Sequence, residues 1–268
     1  MQNFNKYVII KKQSITKGAV YEKIKNSGGG HNLSYIKAFT LAEVLVTLGI
    51  IGVVSAMTVP TLMQNYQKKS YVTQLHKVYS EVSQGLVIYQ TERNAVNLKE
   101  AGINSKDSAV NFLKSVFKVV TDCGEDNEPC FAPDGEYRKI DGTVITDSRC
   151  ESHHPCYTLA NGASVSVYYY GASPLFQLIL DVNGPKGPNI AGRDFFSFYI
   201  YNNGVIDDVS TVENPDNPNE FNWDNSSVAP LSKETREKMF TQACMSSAPT
   251  QWNGCFGKIL NDNWEMNY

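Results

Sequence analysis

Glu43 stands at the start of a long apolar run, and a carboxylate there is costly unless it stays near water or finds a partner. From Val44 to Gln67 no residue carries a charge. As a helix rising about 1.5 Å per residue, that stretch covers roughly 36 Å, against a hydrocarbon core of roughly 30 Å. Glu43 is therefore a functional candidate by position alone. A second candidate group lies in Asp181-Val182-Asn183-Gly184-Pro185-Lys186-Gly187-Pro188-Asn189, which runs on to Gly192-Arg193-Asp194. Asp181, Asn183 and Asp194 set oxygen-bearing side chains along a Gly- and Pro-rich loop, a pattern that could wrap a hard cation such as calcium. The same residues also suit a tight loop in which Asp181 and Asn183 cap their own backbone. No Glu follows where an EF-hand would need one, so that motif is excluded.

Cys150-Glu151-Ser152-His153-His154-Pro155-Cys156 could in principle hold zinc through two thiolates and an imidazole. Oxidation would remove those ligands. Six cysteines, Cys123, Cys130, Cys150, Cys156, Cys244 and Cys255, all follow the apolar run. An even count confined to that side predicts disulfides formed in an oxidising compartment. Cys244 and Cys255 lie near each other and far from the other four, so they are expected to pair; pairing among Cys123, Cys130, Cys150 and Cys156 stays open. No Gly-x-Ser-x-Gly, His-Glu-x-x-His, Walker or dinucleotide-binding pattern occurs. The expectation is a protein that is not an enzyme, with no cofactor beyond a candidate calcium ion.

These residues need elements to position them. Residues 1–38 hold seven Lys and one Glu, a balance of +6; the chain totals −3, so the remainder carries −9. By the positive-inside rule the head stays cytoplasmic and the acidic bulk, a domain of about 170 residues, is exported. An acidic exported domain argues against nucleic acid as the main partner. No packed structure is expected for residues 1–38. Beyond Pro60 the residues Tyr71, Leu75, Val78, Val82, Leu86 and Tyr89 recur at helical spacing. The pattern predicts one helix over residues 39–93, membrane-spanning over about 41–63, kinked or locally melted at Pro60 and packed on a domain at residues 94–268. Asp107 or Ser108 would cap a shorter helix burying Phe112, Leu113, Val116 and Phe117. Thr121–Pro155 reads as a loop whose crosslinks replace core contacts. Ser164–Tyr170, Phe176–Val182, Phe195–Tyr201 and Val205-Ile206 read as antiparallel strands, with Asn161-Gly162 and Asn203-Gly204 as turns. Residues 210–230 read as a long surface loop, Leu231–Cys244 as a short helix and Gly257–Tyr268 as a closing tail. The fold class is α+β: a long helix on a small antiparallel sheet with disulfide-crosslinked loops.

The residues Lys37-Ala38-Phe39-Thr40-Leu41-Ala42-Glu43-Val44-Leu45-Val46, with the apolar run behind them, resemble the N-terminal signal of type IV prepilins and type II secretion pseudopilins. The resemblance implies cleavage between Ala38 and Phe39 by a prepilin peptidase, with methylation of the new N-terminus. It makes Glu43 the fifth mature residue, an acid that pairs with the Phe39 amine of a neighbouring subunit during assembly. Pro60 falls where these helices often carry a proline. Ala38 replaces the usual Gly, and a small residue still fits the peptidase subsite. The family also implies a pilin-like fold, a calcium-binding version of the Asp181–Asp194 loop in some pseudopilins, and a bacterial inner-membrane precursor with its C-terminal domain exported. Its partners would be the peptidase, other pilin or pseudopilin subunits, the assembly platform and the membrane. A large crosslinked domain leans toward a minor subunit. The competing expectation is a membrane-anchored binding module that never polymerises.

Overall fold

The computed structural model describes residues 39–146, 149–151, 153–213 and 221–268. Residues 1–38, including Ala38 and the basic head, lie outside the described residues. The chain divides into two compact units at Asn65/Tyr66. Helix α1, Leu41–Glu92, starts in the first unit and ends in the second, one residue short of the expected end.

In the first unit α1 is apolar and uncovered. Leu41, Leu45, Val46, Leu48, Ile50, Ile51, Val53, Val54 and Met57 are all exposed. This is a helix long and apolar enough to cross a membrane. Two of its hydroxyls bond back to the helix, Thr47 Oγ1 donating to the Val44 carbonyl and Thr58 Oγ1 to the Val54 carbonyl, each at 3.0 Å. That is what a polar group needs where water is absent. The helix continues unbroken through Pro60, so of the kink or local melting expected there the melting does not occur.

In the second unit, α1 buries Val72, Leu75, Val78, Val82 and Leu86, with Tyr71 and Tyr89 partly covered beside them. The helical period therefore reads through to packing as expected. Helix α2, Lys106–Val116, is capped by Ser105 rather than by Asp107 or Ser108. Ser105 Oγ accepts from the Ser108 N–H at 3.2 Å, and Ser108 Oγ accepts from the Ser105 N–H at 2.9 Å, a reciprocal capping box. Phe112, Leu113 and Phe117 are buried as expected, whereas Val116 is only half-buried. Val116 instead lies over Gly85 of α1: a Cβ on Gly85 would meet Val116 Cγ2 at 2.3 Å. The two helices approach closely there because Gly85 has no side chain.

Six strands follow: β1 Val119–Gly124, β2 Cys156–Leu159, β3 Ser164–Tyr169, β4 Phe176–Asp181, β5 Phe195–Ile200 and β6 Ile206–Asp207. They pair in sequence order, every neighbour antiparallel. The β3, β4 and β5 boundaries fall within one residue of the sequence reading. β1 corrects it, since the segment read as loop from Thr121 begins inside a strand, bulged at two points. Every residue of β4 and β5 is buried, because both faces of the sheet are covered. Phe198 meets Tyr79 of α1, and Phe195, on the other face, meets Tyr137 and Trp252.

The segment between β1 and β2 contributes Cys130, Phe131, Ala132, Tyr137 and Ile145 to the core, so its crosslinks supplement core contacts rather than replace them. A two-stranded pair, β7 Thr211–Glu213 and β8 Phe221–Trp223, forms where residues 210–230 read as loop. Helix α3, Lys233–Met239, runs on into a wider helical turn over Phe240–Cys244. Helix α4, Cys255–Asn261, replaces the first part of the expected tail. Gly254 starts α4 at φ 89°, and its missing Cβ would lie 2.3 Å from the Met239 carbonyl oxygen. Substituting Gly85→Val should destabilise the detergent-solubilised chain by about 1–3 kcal/mol through overpacking, read as a lower chemical-denaturation midpoint; an unchanged midpoint would show that α2 does not rest on that position.

Candidate functional site

Phe39 is 84% exposed and precedes the first turn of α1. Thr40 and Glu43 close that turn on themselves. Glu43 Oε2 accepts from the Thr40 N–H at 2.8 Å and from Thr40 Oγ1 at 2.9 Å, while Thr40 Oγ1 accepts from the Glu43 N–H at 3.2 Å. This is the reciprocal box that ends a helix cleanly, with an acid where the helix dipole favours one. Glu43 has no ion pair within the described residues. Its carboxylate therefore relies on local N–H and O–H donors alone, and a cation offered by another chain would add to them without displacing packed structure.

The second site lies where β4 hands over to β5. Asp181 closes β4 and Asp194 precedes β5, and both are fully buried. The Val182 N–H donates to the Asp194 carbonyl at 2.9 Å, drawing the two ends of the loop together. The Tyr137 O–H donates to Asp181 Oδ2 at 2.6 Å, and the Asn183 N–H donates to Asp181 Oδ1 at 3.2 Å. Asp194 accepts from the N–H groups of Asn189, at 2.9 Å, and Ile190, at 2.7 Å. Asn183 Nδ2 donates to the Lys186 carbonyl at 2.7 Å. The expected self-capping of the loop is thus present.

The same loop has the donor set of a cation site. Burial raises the Asp181 carboxyl well above the usual range, and the charge of Asp194 adds to the rise. Burial likewise raises Asp194, against the N–H donors of Ile190 and Asn189. Buried acids whose carboxyls are raised in this way hold protons or take a cation. Two amide oxygens, Asn183 Oδ1 and Asn189 Oδ1, are buried without any hydrogen-bond partner, and Asn189 is only 3% exposed. The amide of Asn183 also acts on Asp194 directly. The sequence reading found Asp181, Asn183 and Asp194; it missed Asn189 as an oxygen donor and Tyr137 as the group that holds Asp181. Among the described residues no three His, Cys, Asp or Glu side chains converge on one point, so any cation here would depend on amide or backbone oxygens as well.

The cysteines pair as Cys123–Cys130, Cys150–Cys156 and Cys244–Cys255. The last is the expected pair, and the others are local as well. With Cys150 and Cys156 joined, both thiolates of the zinc alternative are spent. His154 packs edge-on against Tyr168, its ring centroid 4.3 Å away, and burial lowers its pKa.

Sequence reasoning also missed the charged groups that fasten the C-terminal helices to the sheet. Asp207 and Asp208 at the β6 end are both buried. Arg236 of α3 grips Asp207 bidentately, Nε to Oδ1 at 2.8 Å and Nη2 to Oδ2 at 2.7 Å. Asp208 accepts from the N–H groups of Gly257, at 2.7 Å, Val209, at 2.8 Å, and Gly254, at 3.0 Å. Its burial raises the carboxyl to about 6 despite those donors. The one trace in the sequence is an adjacent acidic pair between apolar residues, Val205-Ile206-Asp207-Asp208-Val209. Lys139, also buried, donates from Nζ to the carbonyls of Ala243, at 2.7 Å, Ala248, at 3.1 Å, and Gln251, holding the loop closed by Cys244–Cys255. These groups fix the fold.

Compared with family models, curated proteins and solved structures, the chain matches none of them. The functional reading therefore rests on the residues themselves.

Proposed function

We propose that the chain is a subunit, specifically a minor pilin or pseudopilin, of a type IV pilus or type II secretion filament. It is made as a single-pass inner-membrane precursor and processed between Ala38 and Phe39. The observation that carries this reading is Glu43: a carboxylate in the first turn of a bare apolar helix, held only by Thr40 of its own chain among the described residues. In lipid the helix end can stay at the head groups, where such an acid is tolerated. In a filament the same helices would pack on one another, away from water, and the acid would need a cation. The ammonium group freed on Phe39 of a neighbour supplies one and would set the axial register. Gly49 and Gly52 leave open space on the helix, which would let adjacent helices approach closely. The acidic second unit, exported and crosslinked, would decorate the outside.

Glu43→Leu removes the acid without shortening the apolar run. Membrane insertion should be unchanged, while recovery of the protein in sheared filaments should fall sharply relative to wild type. Incorporation at the wild-type level would contradict the pairing role.

A second reading concerns the loop from Asp181 to Asp194, favoured by the two orphaned amide oxygens beside two buried acids. Asp181, Asp194, Asn183 and Asn189 would hold a calcium ion, which would neutralise the acids and fix the turn between β4 and β5. Calcium should then raise the thermal midpoint of the full chain over that in chelator, and Asp194→Asn should abolish the increment. Equal midpoints in calcium and chelator would show that the loop closes without metal.

A further inference from the structure

Four Asn-Gly steps occur in the chain: Asn161-Gly162, Asn183-Gly184, Asn203-Gly204 and Asn253-Gly254. Each is chemically labile, because glycine leaves its backbone nitrogen unhindered for attack on the preceding side-chain amide. The fold treats the four differently. Asn183 Nδ2 donates to the carbonyls of Lys186, at 2.7 Å, and Gly187, at 3.3 Å, which holds the leaving nitrogen in place. Asn203 Nδ2 donates to the Ala229 carbonyl at 2.8 Å. Asn253 is buried, its Oδ1 accepting from the Tyr199 O–H at 2.8 Å, and the Gly254 N–H is held by Asp208 at 3.0 Å.

Asn161 is different. Both it and Gly162 are exposed at the turn between β2 and β3. Its amide nitrogen donates to no group among the described residues. Its Oδ1 accepts from the Ala163 N–H at 3.0 Å. That donor polarises the side-chain carbonyl and stabilises the negative charge that builds on Oδ1 when a nucleophile adds to Cγ, as backbone N–H groups do in acyl transfer. The Gly162 N–H is engaged with the Leu159 carbonyl at 2.9 Å, but in an exposed turn where water can take over that bond.

We infer that Asn161 is a modification site, deamidating spontaneously through a cyclic imide formed with Gly162. The Gly162 backbone nitrogen, losing its proton, bonds to Asn161 Cγ; the Cγ–Nδ2 bond breaks and ammonia leaves with that proton. Water then opens the ring at either carbonyl, giving aspartate or isoaspartate. No oxidant or reductant is involved. The product places a new carboxylate on the rim of an open cleft of about 490 Å³, which it shares with Asn183 and Lys186. The isoaspartate form also inserts an extra backbone carbon into the β2–β3 turn.

The test is peptide mapping by mass spectrometry on the detergent-solubilised full chain, aged at mildly alkaline pH, beside a reduced and denatured control. In the folded chain the unmodified Asn161 peptide should be lost first, replaced by separable aspartate and isoaspartate forms, while the other three Asn-Gly peptides persist. In the control all four should decay. Asn161→Gln should remove the early mass increase and leave the other three peptides unchanged. The inference is overturned if Asn161 persists in the folded chain while decaying in the control. Loss of Asn183, Asn203 or Asn253 as fast as Asn161 overturns it equally.

Discussion

From Leu41 to Met63, helix α1 presents apolar side chains that its own chain leaves uncovered. Each exposed Leu, Ile or Val there forgoes about 1.5–3 kcal/mol that burial would provide, and the effect accumulates along the helix. Such a surface has to meet lipid or other helices. The proposed filament role follows from that requirement. In that reading the basic residues before the helix and the acidic bulk after it would lie on opposite sides of the membrane. Glu43 marks the boundary where the apolar run begins, and small residues along the run set how closely a neighbour could approach. The proposed filament role is one way of covering this surface twice, first with lipid and then with copies of the same helix.

The second unit solves a different problem. Its central strands are buried on both faces, so their polar neighbours need partners inside the protein. Asp207 takes Arg236, Asp208 takes the backbone N–H groups at the start of α4, and Lys139 takes the carbonyls of the loop before it. Together with Cys244–Cys255 these bonds tie a C-terminal segment of modest apolar content onto the sheet. Breaking one partner of such a buried pair typically costs about 3–5 kcal/mol, because the other charge is stranded. In the proposed reading this crosslinked unit would stand in an exported, oxidising compartment, where its disulfides persist.

Local signals in the sequence carried the reading a long way. The helical stripe through Leu75, Val82 and Leu86, the strands around Leu178 and Phe198, the turn at Asn203-Gly204 and the Cys244–Cys255 pair were all legible from spacing and residue type. So were Asp181, Asn183 and Asp194 as one oxygen-rich loop. The misses share a cause. Strand β1 is interrupted by bulges and pairs with a strand beyond a long connection, so no short-range alternation announces it. Helix α4 is short and contains a glycine; it depends on Gly254, on a disulfide and on the Asp208 carboxylate from another element. The true cap of α2, Ser105, lies upstream of the acidic residue that looked like one. Asn189 and Tyr137 show their roles only once the chain brings them beside Asp194 and Asp181. Contacts between residues distant in sequence, rather than propensity, decide each of these cases.

Processing between Ala38 and Phe39 is the step that would free the amine Glu43 needs, and it leaves a direct chemical trace. Mass spectrometry of the protein recovered from cells with a working prepilin peptidase should find a mature chain that begins at N-methylated Phe39. A chain still carrying residues 1–38, unprocessed and unmethylated under those conditions, would contradict the filament account and leave an anchored, non-polymerising module in its place.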